Sequence, residues 1–131
     1  MNQIVIPPEE EKLATLSVDA AFAVHKELGP GLLESAYLAC FVHELSLRGV
    51  AFQKELPVPL NYKGVRIEVG FRADMIVEQK LLIELKAVEQ VLPIHKTQVI
   101  TYLKLMLGLL INFNEILIKH GIQRVLNIEK S

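Results

Sequence analysis

Three side chains near the middle of the chain have the types and spacing for hydrolytic chemistry: Asp74, Glu84 and Lys86. Glu84 and Lys86 are two residues apart, so on a strand both leave the same face. A short turn at Glu78-Gln79-Lys80 pairs the flanking strands antiparallel, which brings Asp74 and Glu84 to the same end of the sheet. Met75, Ile76, Ile83 and Leu85 surround them with apolar surface. Two carboxylates about 4 Å apart repel by roughly 4 kcal/mol at an effective dielectric near 20. A hard divalent cation with oxygen ligands, Mg²⁺ or Mn²⁺, removes that repulsion. Lys86 then holds an attacking water or offsets charge on a phosphate in the transition state. The pattern alone is short and common, and it also describes a surface Glu84–Lys86 ion pair beside an unrelated Asp74.

Two companions strengthen the chemical reading. His95, Gln98 and Tyr102 are spaced i, i+3, i+7 and share a helical arc of about 60°. They form a polar stripe beside Val99, Leu103 and Met106. Gln98 and Tyr102 can orient a phosphate, a water or Lys86, with His95 a weaker member. The plainer alternative is a half-buried Tyr102 and a solvated Gln98. The second companion is Gly31-Leu32-Leu33-Glu34-Ser35-Ala36-Tyr37. Glu34 falls in the first turn of a helix, where the helix N-terminus stabilises a carboxylate by itself. In the functional reading it is a further acidic metal ligand, or a group behind one, and Tyr37 packs beside it to shape the cavity. His25, His43 and His120 have no mutual metal spacing, and Cys40 reads as a core residue among apolar neighbours. No Gly-rich phosphate loop, zinc knuckle or nucleophile elbow occurs.

The elements that must position these groups follow from periodicity. Leu13, Leu16, Ala20, Val24 and Leu28 predict a helix from about Pro8 to Leu28. Gly29-Pro30-Gly31 stops it and starts a second, about Leu32 to Arg48, ended by Gly49. Leu33, Tyr37, Cys40, Phe41 and Leu45 suggest that the second helix is buried on more than one side. The period then changes to two. Phe52 to Leu60 reads as an edge strand, because Pro57 and Pro59 share one phase. Asn61-Tyr62-Lys63-Gly64 is a turn. Val65 to Val77 is a long strand with Val65, Ile67, Val69, Phe71, Ala73, Met75 and Val77 on one face, and Gly70 marks a bulge. Leu81 to Ala87 is a central strand. Pro93 opens a third helix to about Leu107. Gly108 to Phe113 and, more weakly, Gly121 to Ile128 are the last strands. The order α, α, β, β, β, α, β, β is mixed α/β, a central sheet flanked by helices.

The bulk numbers bound the reading. The 131 residues fit one domain, spanning 1–131. One cysteine excludes an internal disulfide. The first residues carry no signal-peptide pattern, and Leu103 to Ile111 is too short to span a bilayer, so a cytoplasmic protein without a membrane partner is expected. The mostly apolar Leu105 to Ile111 segment is core or contributes to a homodimer contact. The net charge of −1 argues against a large non-specific nucleic-acid footprint. Local charge is still on offer, because Lys54, Lys63, Arg66 and Arg72 lie close in sequence.

Several ordered blocks together are similar to the GxxExxY protein family. They are Glu27 to Tyr37, Phe71-Arg72-Ala73-Asp74, Ile83 to Val88, His95-Lys96-Thr97-Gln98 with Tyr102-Leu103-Lys104, and Gly108-Leu109-Leu110-Ile111-Asn112-Phe113. The resemblance runs from about Ala20 to Asn127. It implies the PD-(D/E)XK nuclease superfamily and its restriction-endonuclease-like αβββαβ core. It further implies a metal on Asp74 and Glu84, Lys86 in support, Glu34 as the acidic residue of the first core helix, and Gln98 and Tyr102 as a QxxxY pair. The cysteines that hold an iron–sulfur cluster in Cas4-like relatives are absent, so no cluster is implied. The expected activity is hydrolysis of a nucleic acid, DNA ahead of RNA. The competing expectation is a non-catalytic nucleic-acid- or protein-binding module that retains the fold.

Overall fold

The computed structural model describes residues 5–93 and 107–126. Helix α1 is Pro8–Leu28, opened by Pro8 with Glu9, Glu10 and Glu11 in its first turn. Proline lacks an N–H that this position would leave unbonded, and the acidic residues complement the positive end of the helix. Gly29, at φ 66°, closes it by donating to the His25 carbonyl at 2.8 Å. Helix α2 is Glu34–Leu47, so it starts two residues later than the apolar pattern suggests. The reason is local: Leu33 is the extended N-cap, at φ −70° and ψ 147°.

The second helix is not buried on several sides. Tyr37, Phe41 and Leu45 form one buried stripe, whereas Leu33 is 77% exposed and Cys40 is exposed. A stripe spaced i, i+4, i+8 is what one packed face needs. Leu38 and Val42 flank that stripe, partly buried against the same core.

Among the described residues, five strands form one mixed sheet in the order β1-β2-β3-β4-β5. They are β1 (Phe52–Tyr62), β2 (Val65–Val77), β3 (Leu81–Lys86), β4 (Leu107–Asn112) and β5 (Ile122–Leu126). β1 is an edge strand, as its prolines require. The β1–β2 turn is tighter than expected: Tyr62 still pairs with Val65, and only Lys63 and Gly64 turn, both at positive φ. The β1–β2 register moves from Val58–Phe71 to Leu60–Ile67, so β2 carries extra residues around Gly70. β3 pairs antiparallel with β2 and parallel with β4. A parallel pair needs a crossover connection. The helix expected from Pro93 lies in that connection, outside the described residues. Leu107 belongs to β4, paired with Leu81 and Leu126, rather than to that helix.

The main core lies between the two helices and one face of the sheet. Leu13, Ala20, Val24, Tyr37, Phe41 and Leu45 pack there against Met75, Leu81, Ile83, Leu85, Leu109 and Ile111. A smaller cluster, Ala73, Leu82, Leu110 and Val125, occupies the other face. β3 and β4 are therefore apolar on both sides, as central strands should be. The segment from Leu107 to Ile111 is fully buried in the chain's own core, so it is not a free dimer surface.

Ala73 breaks the expected alternation of β2. It packs with Leu82 and Leu110, whereas Met75 and Val77 join the helix-side core. The strand changes phase at Asp74, the residue between them. Opposite this point, Glu55 adopts φ 52° between the pairs Lys54–Met75 and Leu56–Ala73.

Candidate active site

The β2–β3 ladder runs through Val77–Leu81, Ile76–Leu82 and Met75–Ile83. At the next position the strands part. β3 stays with β4 through Glu84–Leu110, Leu85–Ile111 and Lys86–Asn112. Parting leaves backbone N–H groups on both strands that need acceptors. Two carboxylates supply them. The Asp74 N–H donates to Glu84 Oε1 at 2.9 Å, and the Leu85 N–H donates to Asp74 Oδ2 at 2.8 Å. Asp74 and Glu84 are thus locked crosswise at the point where the sheet opens.

Glu84 is 3% exposed. Burial pushes its carboxyl up to about 8, and the negative charge of Asp74 adds to the rise. The Asp74 amide and the Lys86 ammonium act against it but do not prevail. Burying a charge without a full counter-charge is costly, and the group takes up a proton instead. Glu34, exposed at the start of α2, is also raised, first by partial loss of its hydration. It senses Lys86, which lowers it, and Asp74, which raises it. Helix α2 therefore brings Glu34 within electrostatic range of Lys86 and Asp74. Among the described residues, however, no three His, Cys, Asp or Glu side chains gather closely enough to hold a metal ion. Asp74 and Glu84 form the carboxylate pair, and Glu34 stands at electrostatic range rather than at ligand distance from it.

The donor chemistry of the pair fits a hard divalent cation. Two carboxylates with water are an ordinary Mg²⁺ set, and the raised Glu84 marks a place where positive charge is wanted. Lys86, half-buried, follows Glu84 on the same face of β3.

A family model for the PD-(D/E)XK nuclease superfamily matches residues 11–125. The chain belongs to the PD-(D/E)XK nuclease superfamily. No curated protein matches, and no solved structure matches. The mixed sheet with two helices on one face is consistent with the restriction-endonuclease-like fold of such nucleases.

Other expected site residues fare differently. Gln98, Tyr102 and His95 lie outside the described residues. Tyr37 is fully buried, and its hydroxyl donates to the Gly29 carbonyl at 2.6 Å while accepting from the Leu32 N–H at 3.1 Å. Its polar end faces the α1–α2 turn, so it holds the chain leading to Glu34 and does not line an open cavity. His25 is buried with Nε2 2.7 Å from the Glu115 carbonyl, and His43 and His120 are exposed. Lys54, Lys63 and Arg66 are exposed on the β1–β2 hairpin, with Arg66 paired to Glu68 at 2.7 Å.

Sequence reasoning missed Asn112. It is fully buried at the end of β4, beside Lys86 in the ladder. Its side chain accepts from the Val88 N–H at 3.0 Å and donates to the Val88 carbonyl at 2.9 Å. The signal was a lone amide at the end of an otherwise apolar strand, Leu107-Gly108-Leu109-Leu110-Ile111-Asn112.

Proposed function

We propose that this chain is a divalent-metal-dependent nuclease that hydrolyses phosphodiester bonds, acting on DNA ahead of RNA. The crosswise Asp74–Glu84 pair carries the reading, because a half-buried and a buried carboxyl group meet where the strands part, with Lys86 too weak a counter-charge to keep Glu84 ionised. Asp74 and Glu84 would hold the cation, Mg²⁺ or Mn²⁺, with Glu34 in support. When bound, the cation neutralises charge on the phosphate and makes a water more acidic. Lys86 orients the attacking water or offsets charge as the phosphorus–oxygen bond breaks. Gln98 and Tyr102 orient the substrate, with His95 in a lesser part. Gly31, Glu34 and Tyr37 support a place in the GxxExxY group within the superfamily, and the proposed site of action is the cytoplasm.

One observation favours a second reading, a non-catalytic binding module: the net charge of −1 gives little general attraction to a polyanion. Calorimetric titration of Mn²⁺ into wild type and Asp74→Asn, followed by a cleavage screen over single-stranded, duplex, flapped and RNA substrates, separates the two. The nuclease reading expects binding that Asp74→Asn weakens, and cleavage that Lys86→Ala removes. Binding without cleavage of any substrate favours the module. No binding at millimolar Mn²⁺ removes the basis of the nuclease.

A further inference from the structure

Glu34 and Lys86 reach the site from different elements, the start of α2 and the end of β3. Their relative position is set by something else, and a single short segment touches the supports of both. Asn112, Phe113 and Asn114 leave β4 in succession. On the β3 side, the Phe113 N–H donates to the Lys86 carbonyl at 2.8 Å. The Asn112 side chain closes on both backbone groups of Val88, two residues beyond Lys86. The same Asn112 oxygen also accepts from the Asn114 N–H at 3.3 Å.

On the helix side, the Phe113 ring stacks on Tyr37, with centroids 4.7 Å apart and planes 11° apart. It meets Phe41 edge-on at 6.3 Å. Tyr37 in turn ties Gly29 to Leu32 through its hydroxyl. Asn114 Oδ1 accepts from the Gly31 N–H at 3.0 Å, three residues before Glu34. The left-handed Gly31 is therefore gripped by Asn114, and the turn around it by Tyr37. Asn112, Tyr37 and Phe113 are all fully buried. Buried amide and hydroxyl groups bonded in this way favour one arrangement, since another would leave a polar group unpaired.

We infer that Asn112, Phe113 and Asn114, together with Tyr37, act as one clasp that sets Glu34 against Lys86. These are positioning residues that stay clear of the substrate. The inference rests on the proposed nuclease reading for its consequence in catalysis, but the clasp itself is testable without metal or substrate.

Two experiments decide it. The first is amide hydrogen exchange on the metal-free protein. Asn112→Ala is expected to speed exchange at Val88, which it touches, and also at Leu32, which it does not. Asn114→Ala, the milder change, is expected to speed Gly31 and also Val88, each by about tenfold or more, while the β1–β2 ladder amides stay unchanged. Exchange raised only at the amide each side chain bonds would overturn the clasp as a unit. If Asn112→Ala does not fold, Asn114→Ala decides alone. The second experiment is cleavage kinetics with Tyr37→Phe, which keeps the ring stack and loses the hydroxyl. kcat is expected to fall about tenfold or more at unchanged KM. Combined with Glu34→Gln, Tyr37→Phe should add little further loss. Fully additive losses overturn action through Glu34. A wild type that cleaves nothing overturns the proposed function instead, and the exchange result still decides the clasp.

Discussion

Asp74 and Glu84 each cap a backbone N–H on the other's strand: Glu84 Oε1 accepts from Asp74 itself, and Asp74 Oδ2 accepts from Leu85, the residue after Glu84. The pair is thus structural and chemical at once. It closes the backbone where β2 and β3 part, and it sets two acidic groups side by side at that point.

Stability should fall with rising pH in the absence of divalent ions. The folded protein keeps a proton on Glu84 up to about pH 8, whereas an ordinary glutamate releases it near 4.5. Between these values the folded state binds more protons than the unfolded state. Its contribution is present in full below about pH 4.5 and is lost as pH climbs through about 8. Urea midpoints measured across this range should decline for wild type and flatten for Glu84→Gln. A wild-type curve as flat as that of the variant refutes the assignment.

Divalent binding should tighten as pH rises over the same window. A carboxylate must lose its proton to ligate a cation, so ion and proton compete for Glu84. Mn²⁺ titrations at pH 6 and pH 8 are expected to differ by at least about tenfold in affinity, with protons released on binding at pH 6. Equal affinities at the two values count against Glu84 as a ligand.

Lys86→Ala should lower cleavage by about 10²–10³-fold, the scale for removing one group that stabilises developing charge. Mn²⁺ affinity should not fall, because the cation and the ammonium carry like charge. A parallel loss of metal binding would make Lys86 a structural counter-charge instead.

Gly121→Ala should destabilise the fold by about 1–3 kcal/mol. An added Cβ would lie 2.2 Å from the Asn112 carbonyl oxygen, a backbone atom that cannot swing aside. Chemical denaturation measures the effect. An unchanged midpoint would mean that the turn carrying Gly121 yields without cost.

Cys40 should react with a thiol reagent in the native protein, because it is exposed on α2. Colorimetric titration without denaturant is expected to count one thiol. Reaction that requires urea would place the side chain in the core after all.

Much of this architecture was legible before any coordinates. Period-two runs located β1 and β2, a near-continuous apolar run after a short turn located β3, and Pro8, Gly29 and Gly49 framed the helices, because backbone restriction is a local property. The acidic pair was legible too, since strand alternation and a short turn bring Asp74 and Glu84 to one end of the sheet. What misled was the apolar character of α2. Leu33 and Cys40 look like core in a one-dimensional pattern, but only one face of that helix meets the sheet. The phase change at Ala73–Asp74 was equally hidden, because alternation assumes that the strand stays paired.

The sequence by itself determined which elements form and which acidic and basic groups are available, since both are written in neighbouring residues. Only the tertiary structure decided that β2 leaves β3 at Asp74, that Glu84 is buried there, and that Asn112 and Asn114 hold the chain on either side. Those facts depend on pairings between residues far apart in the chain. Burial and hydrogen-bond partners are properties of the packed arrangement, and no local pattern contains them.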